Sequence, residues 1–189
     1  MGARDHGSPA RPDILSSWPM KAPWSEGGIR IPASVLAVIE RAGEAAYERN
    51  EEACGYLEGP ASEPLLVDRA VELENLANKY HAADPEGHPR TGREYFKINA
   101  LKFDRAIRDG SSAERPVKVF FHSHLDCGAY FSAEDAASMT MGGTGAPSYE
   151  LSYLVTAVDE GKVTAHRLFV WDEPTRGFVE APFTRIEGT

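Results

Sequence analysis

The stretch Phe121-His122-Ser123-His124-Leu125-Asp126-Cys127-Gly128-Ala129-Tyr130-Phe131-Ser132-Ala133-Glu134-Asp135 organises the reading of this chain. It grows out of Val117–Phe121, apolar apart from Lys118, which reads as a short central strand buried on both faces. Side chains two apart in an extended chain point to one side, so His122 and His124 leave that strand together. Both imidazoles can then reach one metal ion at about 2.0–2.1 Å. Ser132-Ala133-Glu134-Asp135 fits the capping box that starts helices, here predicted over Ser132–Met141. A helix starting there can return the Asp135 carboxylate to the two histidines. Two His and one carboxylate leave the fourth tetrahedral position for water, the pattern of a catalytic rather than a structural zinc. Taken singly, the histidines would be ordinary strand or loop residues and the serine a helix cap. With six His in 189 residues, chance predicts roughly 0.0007 occurrences of the joint spacing, so the pieces are read together. The two readings of Ser132 coexist: a helix N-terminus offers free N–H groups, and a hydroxyl there can donate to an oxyanion.

Working outward, Ile29–Ile31 predicts a short strand and Pro32 opens a helix, proline being favoured in the first turn. Val35, Ile39, Ala42 and Ala46 form one apolar face, with the helix ending near Asn50. Cys54–Leu57 and Leu65–Leu73 predict two strands joined by a turn around Gly59-Pro60. The polar segment Asn75–Gly92 reads as a long loop, a class often functional or mobile. Ile98–Asp109 predicts a second helix with a partial stripe of Ile98, Leu101, Phe103 and Ile107, stopped by Gly110. Gly142–Pro147 reads as a flexible loop. Leu151–Val158 and Val163–Trp171 form a hairpin around Asp159-Glu160-Gly161. This order predicts a mixed central β-sheet flanked by helices, in the α/β (α+β) class. Residues 1–28, rich in Pro, Gly and Ser, read as a flexible arm in which Trp18 and Trp24 are candidates to dock on one domain spanning 29–189.

The formal net charge of -9, with no Lys/Arg cluster, argues against a nucleic-acid partner. Two cysteines, Cys54 and Cys127, are too few for a disulfide framework and suggest a reducing compartment. The first residues carry Arg4, Asp5, Arg11 and Asp13 and lack the apolar core of a secretory signal. No run approaches the roughly 18 apolar residues of a membrane span, so no membrane partner and a cytoplasmic location are expected.

The pattern His122-Ser123-His124, seven residues, Ser132-x-x-Asp135 resembles the JAMM motif of the MPN/JAB metalloproteases. The upstream Glu52-Ala53-Cys54-Gly55 resembles that family's Glu-x-Cys/Met-Gly segment, and the likeness covers about Ile29 to Val170. It implies an MPN/JAB-like (cytidine-deaminase-like) architecture, one Zn2+ held by His122, His124 and Asp135, Glu52 as general base, and Ser132 at the oxyanion. It also implies hydrolysis of a peptide or isopeptide bond after the Gly-Gly end of a ubiquitin-like or sulfur-carrier protein. The residue types suit that chemistry by themselves: a carboxylate within hydrogen-bond reach can move a proton from water to the leaving amine.

Relatives often have Pro after the second His; here it is Leu125, which predicts a looser loop with no ligand lost. Cys127 reads as a small buried hydrophobe or as an occupant of the open zinc position. Tyr130 and Phe131 either wall a groove or pack the loop down. His81, His88 and His166 fit no ligand spacing. Competing readings are a non-catalytic MPN-like partner-binding scaffold, whose members usually lose ligands that are all present here, and a 2-His-1-carboxylate iron oxygenase or a cupin, whose ligand orders differ.

Overall fold

The computed structural model describes residues 21–140 and 145–187. Among them are eight strands and four α-helices: β1 (Ile29–Pro32), α1 (Ala33–Glu48), β2 (Cys54–Glu58), β3 (Arg69–Leu73), α2 (Ala77–Ala83), α3 (Ala100–Ser112), β4 (Val117–Leu125), α4 (Ala133–Met139), β5 (Ser152–Asp159), β6 (Lys162–Asp172), β7 (Gly177–Ala181) and β8 (Phe183–Ile186). Six strands form one sheet in the order β3-β2-β4-β5-β6-β7, and β1 pairs with β8 separately. Within the large sheet β4 and β5 run parallel and the other neighbours antiparallel. The parallel pair needs a crossover, supplied by the segment that carries α4. The predicted mixed sheet flanked by helices is therefore what forms.

The sheet is covered on both faces. Val35, Leu36 and Ile39 of α1 pack with Val119, Phe121 and Leu154 on one face. On the other, Phe103 of α3 meets Phe120 edge to face at 5.5 Å, with Phe96, Met139, Tyr153 and Val155 in the same cluster. Burying one such aromatic contributes about 2–3 kcal/mol. Strand alternation then fixes two sides of β4: Phe121 looks toward α1, whereas Phe120 and His122 look toward α3 and α4. All of Val117–Leu125 is buried, because β4 lies centrally.

Several expectations are corrected. The strand does not end at Phe121; it runs through both histidines to Leu125, because β5 pairs with it as far as Leu125↔Val158. Pro32 ends β1 in extended geometry and caps α1 from outside the first turn. The segment expected as one strand from Leu65 contributes only Arg69–Leu73 to β3; Leu66 instead bridges Arg30. The expected loop 75–92 contains α2, whose Ala77 amide is held by the Asn75 side chain at 3.0 Å. Helix α3 starts after Asn99, whose side chain accepts from the Lys102 amide at 3.0 Å, and passes through Gly110. A Cβ at Gly110 would sit 2.6 Å from the Arg115 carbonyl oxygen, so the glycine allows a close approach rather than stopping the helix. Leu101 of the expected stripe is exposed, while Phe103 is buried. Strands β7 and β8 add to the expected order of elements; their alternation is weak and both are only partly buried.

Trp24 does dock on the domain. Its indole donates to the Glu150 carbonyl at 3.0 Å and its own carbonyl accepts from the Ser152 hydroxyl at 2.6 Å. Trp18 and residues 142–144 of the predicted glycine loop lie outside the described residues. No described helix is long and apolar enough to cross a membrane.

Candidate metal centre

His122 and His124 stand on the same face of β4, and Asp135 returns to them from the first turn of α4. His122 Nε2 and His124 Nε2 are 3.1 Å apart. Asp135 Oδ1 is 3.2 Å from His122 Nε2, and Oδ2 is 3.4 Å from His124 Nε2. One ligand atom from each of the three lies within 4.8 Å of the others, and all three residues are buried. The donor set suits a metal ion. A carbonyl only accepts, so the 3.1 Å contact of His124 Nδ1 with the Gly128 oxygen places the ring proton on Nδ1 and leaves Nε2 a free lone pair. His122 is held by rings instead: Phe96 lies at 4.8 Å and Phe131 at 6.2 Å from it. Its Nδ1 is buried and has no partner among the described residues.

Ser132 caps α4, and the predicted capping box is present, with Asp135 in the acidic position. The serine amide and hydroxyl both donate to Asp135 Oδ2, each at 2.7 Å, and the Asp135 amide donates back to Ser132 Oγ at 3.0 Å. Oδ1 is thus the carboxylate oxygen left for a cation. Burial pushes the Asp135 carboxyl up, but neighbouring His122 and the hydrogen bonds from His122 and Ser132 outweigh it and hold the acid far below the usual carboxylate range.

Glu52 precedes β2. In the β2–β4 pair, Cys54 faces His122. Continuing the register, the Ala53 amide donates to Ser123 Oγ at 2.8 Å and the Ser123 amide to the Ala53 carbonyl at 2.9 Å. Glu52 lies one residue beyond that pair; its amide donates to the Gly92 carbonyl at 2.6 Å, and its carboxyl is near enough to the centre for the charge of Asp135 to act on it. Glu52 is buried, and its Oε2 has no partner among the described residues. Burial, then the negative charges of Asp135 and Glu94, raise its carboxyl well above the ordinary range. Gly55 is required by packing: a Cβ would lie 2.2 Å from the Val71 carbonyl oxygen and 2.6 Å from the Phe121 ring.

Three residues escaped the sequence reading. Ser123, between the histidines, clamps the base-bearing segment. Asn75 donates to the Glu52 and Tyr95 carbonyls at 3.0 and 3.1 Å and accepts from the Ala77 and Lys97 amides, joining Glu52 to the segment behind Phe96. Asp126 ties the loop after β4 to Tyr47, Arg93 and the Glu160 amide. The only sequence signal for these was their polar type beside the motifs.

Of the other candidates, Tyr130 is exposed and meets His124 edge to face, with ring centroids 4.9 Å apart. Phe131 packs against Tyr153, Phe169 and Phe178. Cys127 is exposed and stands outside the ligand group. His81 meets the His88 carbonyl, and His166 bonds Thr156 and Glu40, so neither joins the centre.

A buried His-x-His strand and a helix-borne aspartate on a mixed sheet bring together three groups that could hold a metal ion. The family described as prokaryotic homologs of the JAB domain matches residues 32–171, and the chain belongs to it. Among solved structures, a Desulfitobacterium hafniense protein is 23% identical with a TM-score of 0.61, covering 85% of this chain and 94% of that one. A Salinibacter ruber protein is 20% identical with a TM-score of 0.52, covering 84% and 92%. A JAB1/MPN domain protein from Archaeoglobus fulgidus is 14% identical with a TM-score of 0.46, covering 83% and 100%. A search of curated proteins gave no match.

Proposed function

We propose that this protein is a zinc metallopeptidase that cuts the peptide or isopeptide bond following the Gly-Gly end of a ubiquitin-like or sulfur-carrier protein. The observation that carries this reading is the meeting of three buried ligand groups with an unpaired carboxylate on one side of the sheet. His122 and His124, through Nε2, and Asp135, through Oδ1, would hold the ion. When bound, zinc supplies a Lewis acid that polarises a carbonyl and lowers the pKa of water toward about 7.

The remaining work falls to the chain. Glu52, unpaired at Oε2 and raised in pKa, is suited to take a proton from the attacking water and return it to the departing amine. Ser132 has one hydroxyl hydrogen, and it is directed at Asp135 Oδ2. Its first role is therefore to orient the ligand, and donation to an oxyanion requires the hydroxyl to turn. Exposed Tyr130 beside His124, and the cleft between α2 and α4 lined by Tyr80, His88, Arg90, Tyr95 and Glu134, form the approach for a partner's tail.

The test pairs zinc stoichiometry with cleavage of a carrier extended beyond Gly-Gly, in the parent and in Glu52→Ala. About one zinc per chain in both proteins, with cleavage only by the parent, is expected. Zinc in both with no cleavage across a panel of carriers would favour a partner-binding scaffold. Absence of zinc from the parent would remove the reading.

A further inference from the structure

The loop that follows the second histidine is secured by one carboxylate. Asp126 has left-handed backbone, φ 56°, and Gly128 beyond it has φ 80°. Asp126 Oδ1 accepts from the Glu160 amide at 3.0 Å, at the β5–β6 turn. Oδ2 accepts from Arg93 Nη2 at 2.8 Å. The Tyr47 hydroxyl, from the end of α1, reaches both oxygens at 3.0 and 3.1 Å. Arg93 also donates through Nη1 to Asn50 Oδ1 at 2.7 Å, and Asn50 is itself left-handed at φ 55°.

These contacts join the two halves of the centre. On one side, Asp126 lies between His124 and Gly128, whose carbonyl fixes the His124 ring proton. On the other, Asn50 lies two residues before Glu52, and Gly92, next to Arg93, accepts from the Glu52 amide at 2.6 Å. We propose that Asp126, linked through Arg93 to Asn50, is a positioning residue that sets His124 and Glu52 relative to one another. Three donors from three separate segments converge on it, which an isolated surface ion pair does not provide. This inference rests on the metallopeptidase reading and adds a residue to it.

The test compares the parent with Asp126→Ala, Asp126→Asn and Arg93→Gln. Zinc affinity is measured by chelator competition, the ligand field by the visible spectrum of the cobalt-substituted protein, and folding by thermal unfolding of the metal-free chain. Asp126→Ala is expected to weaken zinc about 10–100-fold and to change the cobalt spectrum, the range typical of groups that orient a ligand. Asn tolerates the left-handed backbone and keeps an acceptor for the Glu160 amide, so Asp126→Asn is expected to recover most of the affinity. Arg93→Gln removes the link to Asn50 and one of the three donors on Asp126, while Tyr47 and the Glu160 amide still hold the carboxylate; it is expected to lower kcat with KM unchanged and to weaken zinc less than Asp126→Ala. If Asp126→Ala does not fold, the Asn and Gln variants decide. Parent-like zinc affinity, cobalt spectrum and kcat in the folded variants would overturn the inference and leave the metallopeptidase standing. A parent that binds no zinc would overturn both.

Discussion

Ala53 and Ser123 are bonded to each other twice: the Ala53 amide donates to the Ser123 hydroxyl at 2.8 Å, and the Ser123 amide to the Ala53 carbonyl at 2.9 Å. This pair sits between Cys54↔His122 and Glu52, whose amide donates to the Gly92 carbonyl. Ser123→Ala would leave the Ala53 amide without its acceptor in a buried site. A loss of about 1–3 kcal/mol in stability is expected. Because the displaced segment carries Glu52, kcat should fall while zinc affinity stays near that of the parent. Equal falls in both would show that the serine supports the fold and not the base.

Glu52→Gln should abolish most cleavage, by roughly 10²–10⁴-fold, with zinc retained. The same change should stabilise the metal-free protein near neutral pH. The folded carboxyl is raised above 4.5, so between 4.5 and that higher value the folded chain binds more protons than the unfolded one. Its contribution is complete below about pH 4.5 and is lost as pH rises through the folded value. Unfolding of the metal-free parent and variant across pH checks this; parallel curves would show that Glu52 titrates normally.

Gly55→Ala should be poorly tolerated. Its Cβ would meet the Val71 carbonyl oxygen at 2.2 Å, a backbone atom of the neighbouring strand that cannot turn away. A cost of about 3 kcal/mol or more is expected, read as a lowered unfolding midpoint. Unchanged stability would mean that β2 and β3 can separate there without penalty.

Lys118 ends among the carbonyl oxygens of Pro60, Glu63 and Leu66, at 2.9, 2.8 and 2.7 Å. It occupies the irregular step between Leu57↔Val119 and Glu58↔Val117, and its ammonium lies 5.8 Å from the Trp24 ring. Lys118→Met should cost about 2–4 kcal/mol by stranding those carbonyls. Burial lowers the ammonium pKa from 10.5 to about 8. Between these values the unfolded chain binds more protons, so this group's contribution grows as pH rises from about 8 to 10.5. The stability difference between parent and variant should widen across that window. A flat or shrinking difference would sink the assignment.

Much of the centre was legible because it is local. The spacing of His122, His124, Ser132 and Asp135 expresses strand alternation and helix capping, each set within a few residues. The apolar runs and Gly-containing turns likewise announced α1, β4 and the β5–β6 hairpin. The resemblance supplied Glu52, which spacing alone does not connect to the histidines.

What tertiary structure decided is non-local. Only the β2–β4 register, with Cys54 paired to His122, brings the segment carrying Glu52 beside the histidines, and a slip of one residue would turn Cys54 to the α1 face. The polar stretch 75–92 folds around Asn75, whose four hydrogen bonds join segments that no periodicity links. Strands β7 and β8 exist because β6 and β1 offer edges to pair with, not because their own residues alternate. Asp126 looked like an ordinary loop acid, and its importance arises only where Tyr47, Arg93 and Glu160 converge on it. Local preference is set by neighbours in sequence, whereas register and convergence are set by the packed core that holds distant segments together.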